Sequence, residues 1–368
     1  MLDTQLHEKT KNGENTESEI VASLLSGAAS DDFASNQNPA GKSRNNLSDS
    51  ARTLAEGQIV IQKTKNAGKS GGDRLLERFR DNAKRLEQIY REFNCRRKGE
   101  KPRRIAAVEW FTDNFYVVAE QLRAVPVDLP PAFYARLPKL VKNSAECEEP
   151  RVYSICATFL GERENNLHIE SLEIFVDCFQ AINPLEMGEL WAVPTALRLA
   201  LIENLRETME SAVALLTAVQ IDVSAQTEIG ARAANIVTAL KLIEVTDWRE
   251  FFERTSLVHR ALADDPAQIY EKMEFATRDA YRHAVERIAR GSRQNEIQTA
   301  LTAIALTYHA ANEVGEHNER RENHVGFYLV GEGVSLLEKL TGYRASRGEK
   351  LRRLAYKTPT LLYLGAIF

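Results

Sequence analysis

Apolar residues recur at intervals of three and four along most of the chain after residue 72. In "RLLERFRDNAKRLEQIYREF" the apolar positions are Leu75, Leu76, Phe79, Leu86, Ile89, Tyr90 and Phe93. This spacing is typical of an amphipathic α-helix, and Asp73 can cap that helix. No segment alternates polar and apolar residues over more than a few positions. The sequence therefore predicts an all-α fold, a multi-helix orthogonal bundle after a disordered N-terminal tail.

Residues 1–72 differ in composition, since Asn, Ser, Gly, Asp, Glu and Thr dominate them. Their few apolar side chains cannot offset the entropy cost of ordering the backbone, so a disordered tail is predicted. The apolar run at 58–62 can be transiently extended but has no obvious partner. Gly-Lys-Ser at 68–70 lacks the earlier glycine and the preceding strand of a phosphate-binding loop, and we interpret it as a flexible hinge.

Residues 358–368 carry no charge. Six basic residues precede them: Arg344, Arg347, Lys350, Arg352, Arg353 and Lys357. Basic residues beside an apolar helix are typical of the cytoplasmic flank of a membrane span. Eleven helical residues span only about 16 Å of a hydrocarbon core about 30 Å thick. The segment is predicted to start a truncated transmembrane helix after a cytoplasmic helical domain, 73–357. The alternative is a C-terminal helix that packs on the bundle.

Several prolines lie at predicted helix starts or within a predicted helix. The pair at 130–131 and Pro150 stand at predicted helix starts, where a missing N–H does no harm. Pro194 is predicted to kink or divide a long apolar helix. Residues 103–125 are predicted to form one helix. Further helices are predicted at 225–245, 248–263, 266–273, 278–290, 295–312 and 333–340.

Charge and cysteine content exclude some classes of function. The net charge of −4 implies no general attraction to nucleic acid, and nucleic acid is not expected as a partner. The four cysteines show neither CxxC pairing nor regular spacing, so a zinc or disulfide framework is not expected. Reduced thiols in a cytoplasmic protein are the favoured interpretation.

Few motifs in the sequence indicate a catalytic or metal-binding site. Four residues have spacings that a metal site can use: His309, Glu313, His317 and His324. Because HExxH spacing is absent, a polar helix face is favoured over a metal site. Asp264 or Asp265 is predicted to cap a helix that begins at Pro266. Serine elbows, glycine-rich nucleotide loops and redox cysteine pairs are absent. No catalytic residue, cofactor or metal ion is therefore predicted.

Each tryptophan lies near a carboxylate, a combination found in carbohydrate sites. Neighbours in a helix point in different directions, however, so a core tryptophan beside an exposed acid is favoured. The core is predicted around Trp110, Phe115, Trp191 and Leu197. Buried polar ties, or contacts to further domains, are predicted at Asp113, Asn114, Glu120, Gln121, Glu189, Arg198, Glu203 and Asn204. Hydrogen-bonded packing is favoured over ligand contact.

Four blocks of sequence resemble, in the same order, the helical region of cyclic β-1,2-glucan synthases. They are residues 103–140 ("RRIAAVEWFTDNFYVV…"), 150–206 ("PRVYSICATFLGEREN…"), 265–292 ("DPAQIYEKMEFATRDA…") and 324–344 ("HVGFYLVGEGVSLLEK…"). The resemblance runs from about Asp73 to Phe368.

The resemblance implies a setting for the chain. These synthases are very large inner-membrane proteins of Gram-negative bacteria. In them a cytoplasmic helical region precedes the membrane helices, a UDP-glucose-dependent glycosyltransferase domain and a phosphorylase-like domain. The glucan grows attached to the synthase, but no tyrosine of this chain can be nominated as the attachment point.

We therefore expect an N-terminal fragment of such a synthase, inactive alone, at the cytoplasmic face of the bacterial inner membrane. Its expected partners are the transmembrane, glycosyltransferase and phosphorylase-like domains. Two alternatives stay open. One is a free-standing helical adaptor for a protein partner or a glucan oligosaccharide. The other is an enzyme with a novel site.

Overall fold

The computed structural model describes residues 39–58, 60–61, 74–96, 105–141, 148–217, 223–314, 321–346 and 348–349. These residues form two compact units, an N-terminal unit that ends at Thr255 and a C-terminal unit that begins at Ser256. Helices supply nearly all of the regular structure in both units, which confirms the all-α prediction. The helices of the described ranges include none with the length and apolar character needed to cross a bilayer. The predicted membrane segment, 358–368, lies outside the described residues.

The N-terminal unit combines helices with three short strands. In chain order, its elements are α1 (Pro39–Gly57), β1 (Val60–Ile61), α2 (Arg74–Arg96), α3 (Ala106–Asp113), α4 (Phe115–Asp128), α5 (Pro131–Tyr134), β2 (Lys139–Val141), β3 (Glu148–Pro150), α6 (Arg151–Glu162), α7 (Ile169–Gln180), α8 (Met187–Thr217), α9 (Val223–Val245) and α10 (Trp248–Thr255).

The 31-residue helix α8 lies at the centre of this unit and packs against α2, α6 and α9. Its buried side chains are spread around the helix rather than along one stripe, among them Leu190, Val193, Leu197 and Leu201. That distribution is typical of a helix enclosed by its neighbours. Helix α8 continues through Pro194 rather than dividing there. Packing on several sides outweighs the backbone hydrogen bond that the proline removes.

The three strands form one antiparallel sheet in the order β1-β2-β3. Val60 pairs with Leu140, and Lys139 pairs with Pro150 on the other side. Residues 60–61 therefore have a partner that the sequence did not reveal. Pro150 ends β3 and precedes α6, and the adjoining Arg151 N–H donates to the Pro138 carbonyl at 2.8 Å. The sheet thus fixes the point at which α6 begins.

Helix α1 corrects the prediction that residues 1–72 form a disordered tail. It packs against α7, and its buried residues are Leu47, Ala51 and Ala55, spaced by four. Two of the three are alanines, so the apolar stripe is too slight to stand out from the polar composition around it. The remaining residues of the predicted tail, 1–38, 59 and 62–72, lie outside the described part of the chain.

Two helices that were predicted to be continuous are divided. The predicted helix at 103–125 breaks at Asn114, with φ −111° and ψ 15°. The predicted helix at 248–263 breaks at Ser256, which is extended and whose hydroxyl accepts from the His259 N–H at 3.2 Å. Apolar periodicity continues across both breaks, so it does not indicate where the first helix of each pair ends.

The C-terminal unit contains α11 (Leu257–Ala263), a 3-10 helix (Tyr270–Lys272), α12 (Phe275–Gly291), α13 (Glu296–Val314), a second 3-10 helix (Arg321–Asn323), α14 (Val325–Leu329) and α15 (Val334–Leu340). Helix α13 supplies buried Ala300, Leu301 and Ile304 and contacts α11, α12 and α14. The helix predicted at 266–273 is wrong apart from the 3-10 turn. Gln268 has φ 51°, a left-handed conformation that interrupts any helix there.

Candidate functional site

Polar side chains meet inside the N-terminal unit where α6 begins beside α8. Arg151 is 3% exposed and Glu189 is fully buried. Arg151 Nε donates to Glu189 Oε1 at 2.9 Å, and Arg151 Nη2 pairs with Oε2. The guanidinium also donates to Asn183 Oδ1 at 2.6 Å and to the Pro184 carbonyl at 3.0 Å. This pair joins α6 to α8 and to the loop between α7 and α8.

Burial raises the pKa of the Glu189 carboxyl, and the hydrogen bonds and charge of Arg151 offset part of that rise. The Glu186 N–H also donates to Glu189 Oε2 at 2.9 Å. Both carboxylate oxygens therefore have donors from the protein. Groups of the protein itself therefore satisfy the hydrogen bonds of this ion pair.

A second cluster joins α2, β3, α6 and α8. Arg78 Nη1 donates to Glu149 Oε1 at 2.8 Å, and Arg78 Nε lies 3.1 Å from Glu203 Oε1. The Tyr153 hydroxyl donates to Glu203 Oε2 and accepts from Arg78 Nη2 at 3.2 Å. Burial, followed by the hydrogen bond to Glu203, raises the pKa of the Tyr153 hydroxyl well above its usual value. The cluster therefore holds a neutral tyrosine between one cation and two carboxylates.

Two smaller hydrogen-bonded contacts involve further residues of the predicted polar set. Arg198 Nε on α8 donates to the buried Gln121 Oε1 at 2.7 Å, and its Nη1 pairs with Asp128 at the same distance. Asn204 Nδ2 donates to Asn165 Oδ1 at 2.6 Å. Gln121, Glu189, Arg198, Glu203 and Asn204 all lie at contacts between elements of this unit.

The predicted core position of Trp110 is wrong, because this side chain is 43% exposed. Ala107 and Phe111 form the buried face of α3, and the break at Asn114 ends the helix one turn later. Asn114 bridges elements, since its Nδ2 donates to the Trp110 carbonyl and its Oδ1 accepts from Lys241 at 2.8 Å. Trp110 therefore lies outside the buried face of α3.

The other predicted positions divide between interior and surface. Leu197 is fully buried, and Phe115 is half-buried and stacks on Tyr90. Trp191 is half-buried and stacks on Phe252 with ring centroids 4.5 Å apart. Asp113 and Glu120 are exposed.

The C-terminal unit contains a polar cluster that the sequence did not predict. Asp265 is buried and does not cap a helix at Pro266; its Oδ1 accepts from the Val325 N–H at 3.1 Å and so caps α14. Its Oδ2 lies 2.6 Å from His324 Nδ1, and His324 Nε2 lies 3.1 Å from the Tyr281 hydroxyl. Burial, followed by the charge of Asp265, raises the pKa of Tyr281.

This cluster bears on the metal spacing seen in the sequence. His324 is engaged by Asp265 and Tyr281, and His317 lies outside the described residues. Within the described ranges, no group of three His, Cys, Asp or Glu side chains is placed to hold a metal ion. The Asp–His pairing joins residues 59 apart in sequence, so helical spacing gave no signal for it.

Together these contacts define an all-α protein in which buried polar side chains join helices to one another. No protein-family model matches the chain. The chain is similar to the cyclic beta-(1,2)-glucan synthase NdvB of Rhizobium meliloti (strain 1021), with 25% identity over 76% of this chain. It spans 12% of the length of that protein. The predicted resemblance to cyclic β-1,2-glucan synthases is confirmed.

Proposed function

We propose that the chain acts as a helical scaffold region of a membrane-bound cyclic β-1,2-glucan synthase and does not itself transfer glucose. The similarity covers most of this chain but only 12% of the synthase, so most of that protein lies outside the match. In this proposal the transmembrane, glycosyltransferase and phosphorylase-like domains lie there and are the partners of this chain. Its location is the cytoplasmic face of the bacterial inner membrane.

The observation that carries the scaffold role is the Arg151–Glu189 pair. A buried charge pair adds little net stability compared with apolar packing, but it admits few alternative arrangements of the helices that hold it. Its hydrogen bonds are satisfied within the chain, so no substrate is needed to complete it. A part that holds other domains in position requires this kind of fixed geometry.

A chimera tests the proposal. The matched region of the Rhizobium meliloti synthase is replaced by this chain, and membranes are assayed for cyclic β-1,2-glucan made from UDP-glucose. We expect the chimera to make glucan and a deletion of the matched region to make none. A deletion variant with undiminished glucan synthesis would overturn the scaffold role.

The purified chain alone provides the complementary measurement. Incubated with radiolabelled UDP-glucose, it should neither release glucose nor form labelled saccharide. Sustained turnover by the chain would show that it is an enzyme with a site of its own and would contradict the proposal.

The second candidate is a free-standing adaptor for a protein partner. Two exposed aromatic residues at the α3–α4 junction favour it, since Trp110 is 43% exposed and Tyr116 is 65% exposed. Aromatic residues of this kind are enriched at protein interfaces. The same surface serves the scaffold proposal if it contacts another domain of the synthase, and the chimera distinguishes the two.

A further inference from the structure

The segment after α15 turns back onto α12 in the C-terminal unit. Helix α15 ends shortly before Gly342, whose φ of 67° is a left-handed conformation that glycine adopts without strain. The Tyr343 N–H then donates to the Glu338 carbonyl at 2.8 Å, which closes the end of the helix. The next residue, Arg344, donates its N–H to the Gly291 carbonyl, also at 2.8 Å. A backbone hydrogen bond therefore joins this segment to the last residue of α12.

Gly291 lets the aromatic ring of Tyr343 approach the backbone of α12. A Cβ atom at residue 291 would lie 2.2 Å from Tyr343 Cε2 and 2.4 Å from Tyr343 Cδ2, far closer than non-bonded carbon atoms pack. Only glycine therefore fits at this position while the ring stays in place. The guanidinium carbon of Arg287, one turn earlier in α12, lies 5.6 Å from the centre of the same ring, within the range of a cation–π contact.

Arg287 also joins two carboxylates, one on each side of the turn at Gly342. Its Nη1 donates to Glu338 Oε1 of α15 at 3.1 Å and to Glu349 Oε1 at 3.2 Å. The Tyr343 hydroxyl donates to the other carboxylate oxygen of Glu349. Both carboxylates are largely withdrawn from solvent, with side-chain exposures of 12% and 13%. Partial burial strengthens these ion pairs compared with pairs that are fully exposed.

Arg287, Gly291, Glu338, Tyr343 and Glu349 thus form one cluster, the exit clamp, which joins α12, α15 and the segment that follows α15. Residues 350–368 come directly after it in the sequence. We propose that the exit clamp fixes the point from which the chain continues beyond residue 349, and that it thereby couples the C-terminal unit to the next domain of a synthase. The coupling rests on the proposed function, whereas the clamp itself does not.

Hydrogen exchange of the purified full chain tests the clamp. In Gly291→Ala the added methyl group displaces the Tyr343 ring, so the amides of residues 341–346 should exchange about tenfold faster. The melting temperature should stay nearly unchanged, because the displaced segment lies at the edge of the unit. Arg287→Met, which removes the ion pairs without adding bulk next to the ring, should also speed exchange there. Unchanged exchange in both variants would overturn the exit clamp.

Two matched controls separate the clamp from general effects of substitution. Gly161→Ala adds the same methyl group at a position where it meets no atom within 4 Å. Arg290→Met removes an arginine of the same helix that pairs with Glu286 rather than with the clamp. Both controls should leave the exchange of residues 341–346 as it is in the unaltered chain.

The chimera tests the coupling. Gly291→Ala and Arg287→Met should each reduce synthesis of cyclic β-1,2-glucan severalfold, while the two controls keep it. Full glucan synthesis by both clamp variants, despite faster exchange, would overturn the coupling and leave the scaffold role in place. If the unaltered chimera makes no glucan, the proposed function and the coupling fail together, and hydrogen exchange alone decides the clamp.

Discussion

At Glu189 a carboxylate is kept inside the protein by its partners. The residue is fully buried, and Arg151, itself 3% exposed, supplies the opposing charge. Removal of one member of such a pair leaves the other charged and without compensation. Removal of both leaves only a change in packing. Single and joint substitutions should therefore differ in their effect on the free energy of unfolding.

Arg151→Met should lower the free energy of unfolding by about 3–5 kcal/mol at pH 7, because Glu189 loses its cation. The joint variant Arg151→Met with Glu189→Leu should be more stable than Arg151→Met alone. Urea denaturation measures both. Arg254→Met, which removes the surface contacts of Arg254 with Glu250 and Glu173, serves as the control and should lower the free energy of unfolding much less. Equal losses in Arg151→Met and Arg254→Met would contradict the structural importance of the buried pair.

Tyr153 makes stability depend on alkaline pH. Its folded-state pKa lies above that of the unfolded chain, so its contribution is complete below the unfolded pKa and is lost as pH rises. Above about pH 10 the unfolded state ionises while the folded state does not, at a cost of about 1.4 kcal/mol per pH unit.

We expect Tyr153→Phe to flatten the decline of unfolding free energy between about pH 10 and pH 11. Urea titrations at several pH values measure that slope. The matched control is Tyr116→Phe, since Tyr116 is 65% exposed. A slope that Tyr153→Phe leaves unchanged would mean that the hydroxyl ionises equally well in the folded state.

Among the elements, apolar spacing along the sequence predicted the strongly periodic helices. It failed for elements that form only in contact with residues far away in the sequence. Helices α2, α6 and α7 follow from apolar spacing and from Pro150. Helix α1 does not, because Ala51 and Ala55 become core residues only once α7 is present. The same holds for Val60, which is a strand residue only beside Leu140.

The polar residues of the candidate site also fall into a group that the sequence predicted and a group that it did not. Apolar and aromatic neighbours pointed to Gln121, Glu189 and Arg198 because polar residues within a buried stripe need partners. The partner of Glu189, Arg151, lies 38 residues before it, and no local spacing identifies that partner. Trp110 was misplaced because its apolar character alone does not show that α3 turns Ala107 and Phe111 toward the interior instead.

Docking of α1 can be tested at Ala51, which is fully buried against its surroundings. Ala51→Glu should detach α1, since a carboxylate would be placed in an apolar contact without a partner. Hydrogen exchange should then lose protection across residues 46–57. Thr53→Glu, at an exposed position of the same helix, should keep it. Similar protection in both variants would show that α1 does not depend on this contact.

At the scale of the whole molecule, the surface at the α3–α4 junction links structure to the proposed function. Trp110, Asp113, Tyr116 and Glu120 are exposed there on consecutive helices. Within a large synthase, exposed aromatic residues of this kind are suited to contact another domain. The scaffold role therefore assigns this surface to an interface.

In the chimera, Trp110→Ala combined with Tyr116→Ala should reduce glucan synthesis severalfold, while the melting temperature of the isolated chain stays nearly unchanged. Ile182→Ala is the control, since Ile182 is also 43% exposed but lies after α7. Full glucan synthesis by the double variant would remove this surface from the interface.

The contacts of Arg78 have a consequence for biosynthesis. Its two carboxylate partners follow 71 and 125 residues later in the chain. At a translation rate of about 5–20 residues per second, Glu203 emerges roughly 6–25 s after Arg78. During that interval the apolar side chains of α2 are not yet covered by α8. We therefore expect chaperones at the ribosome exit to bind nascent chains that contain Arg78 but not yet Glu203.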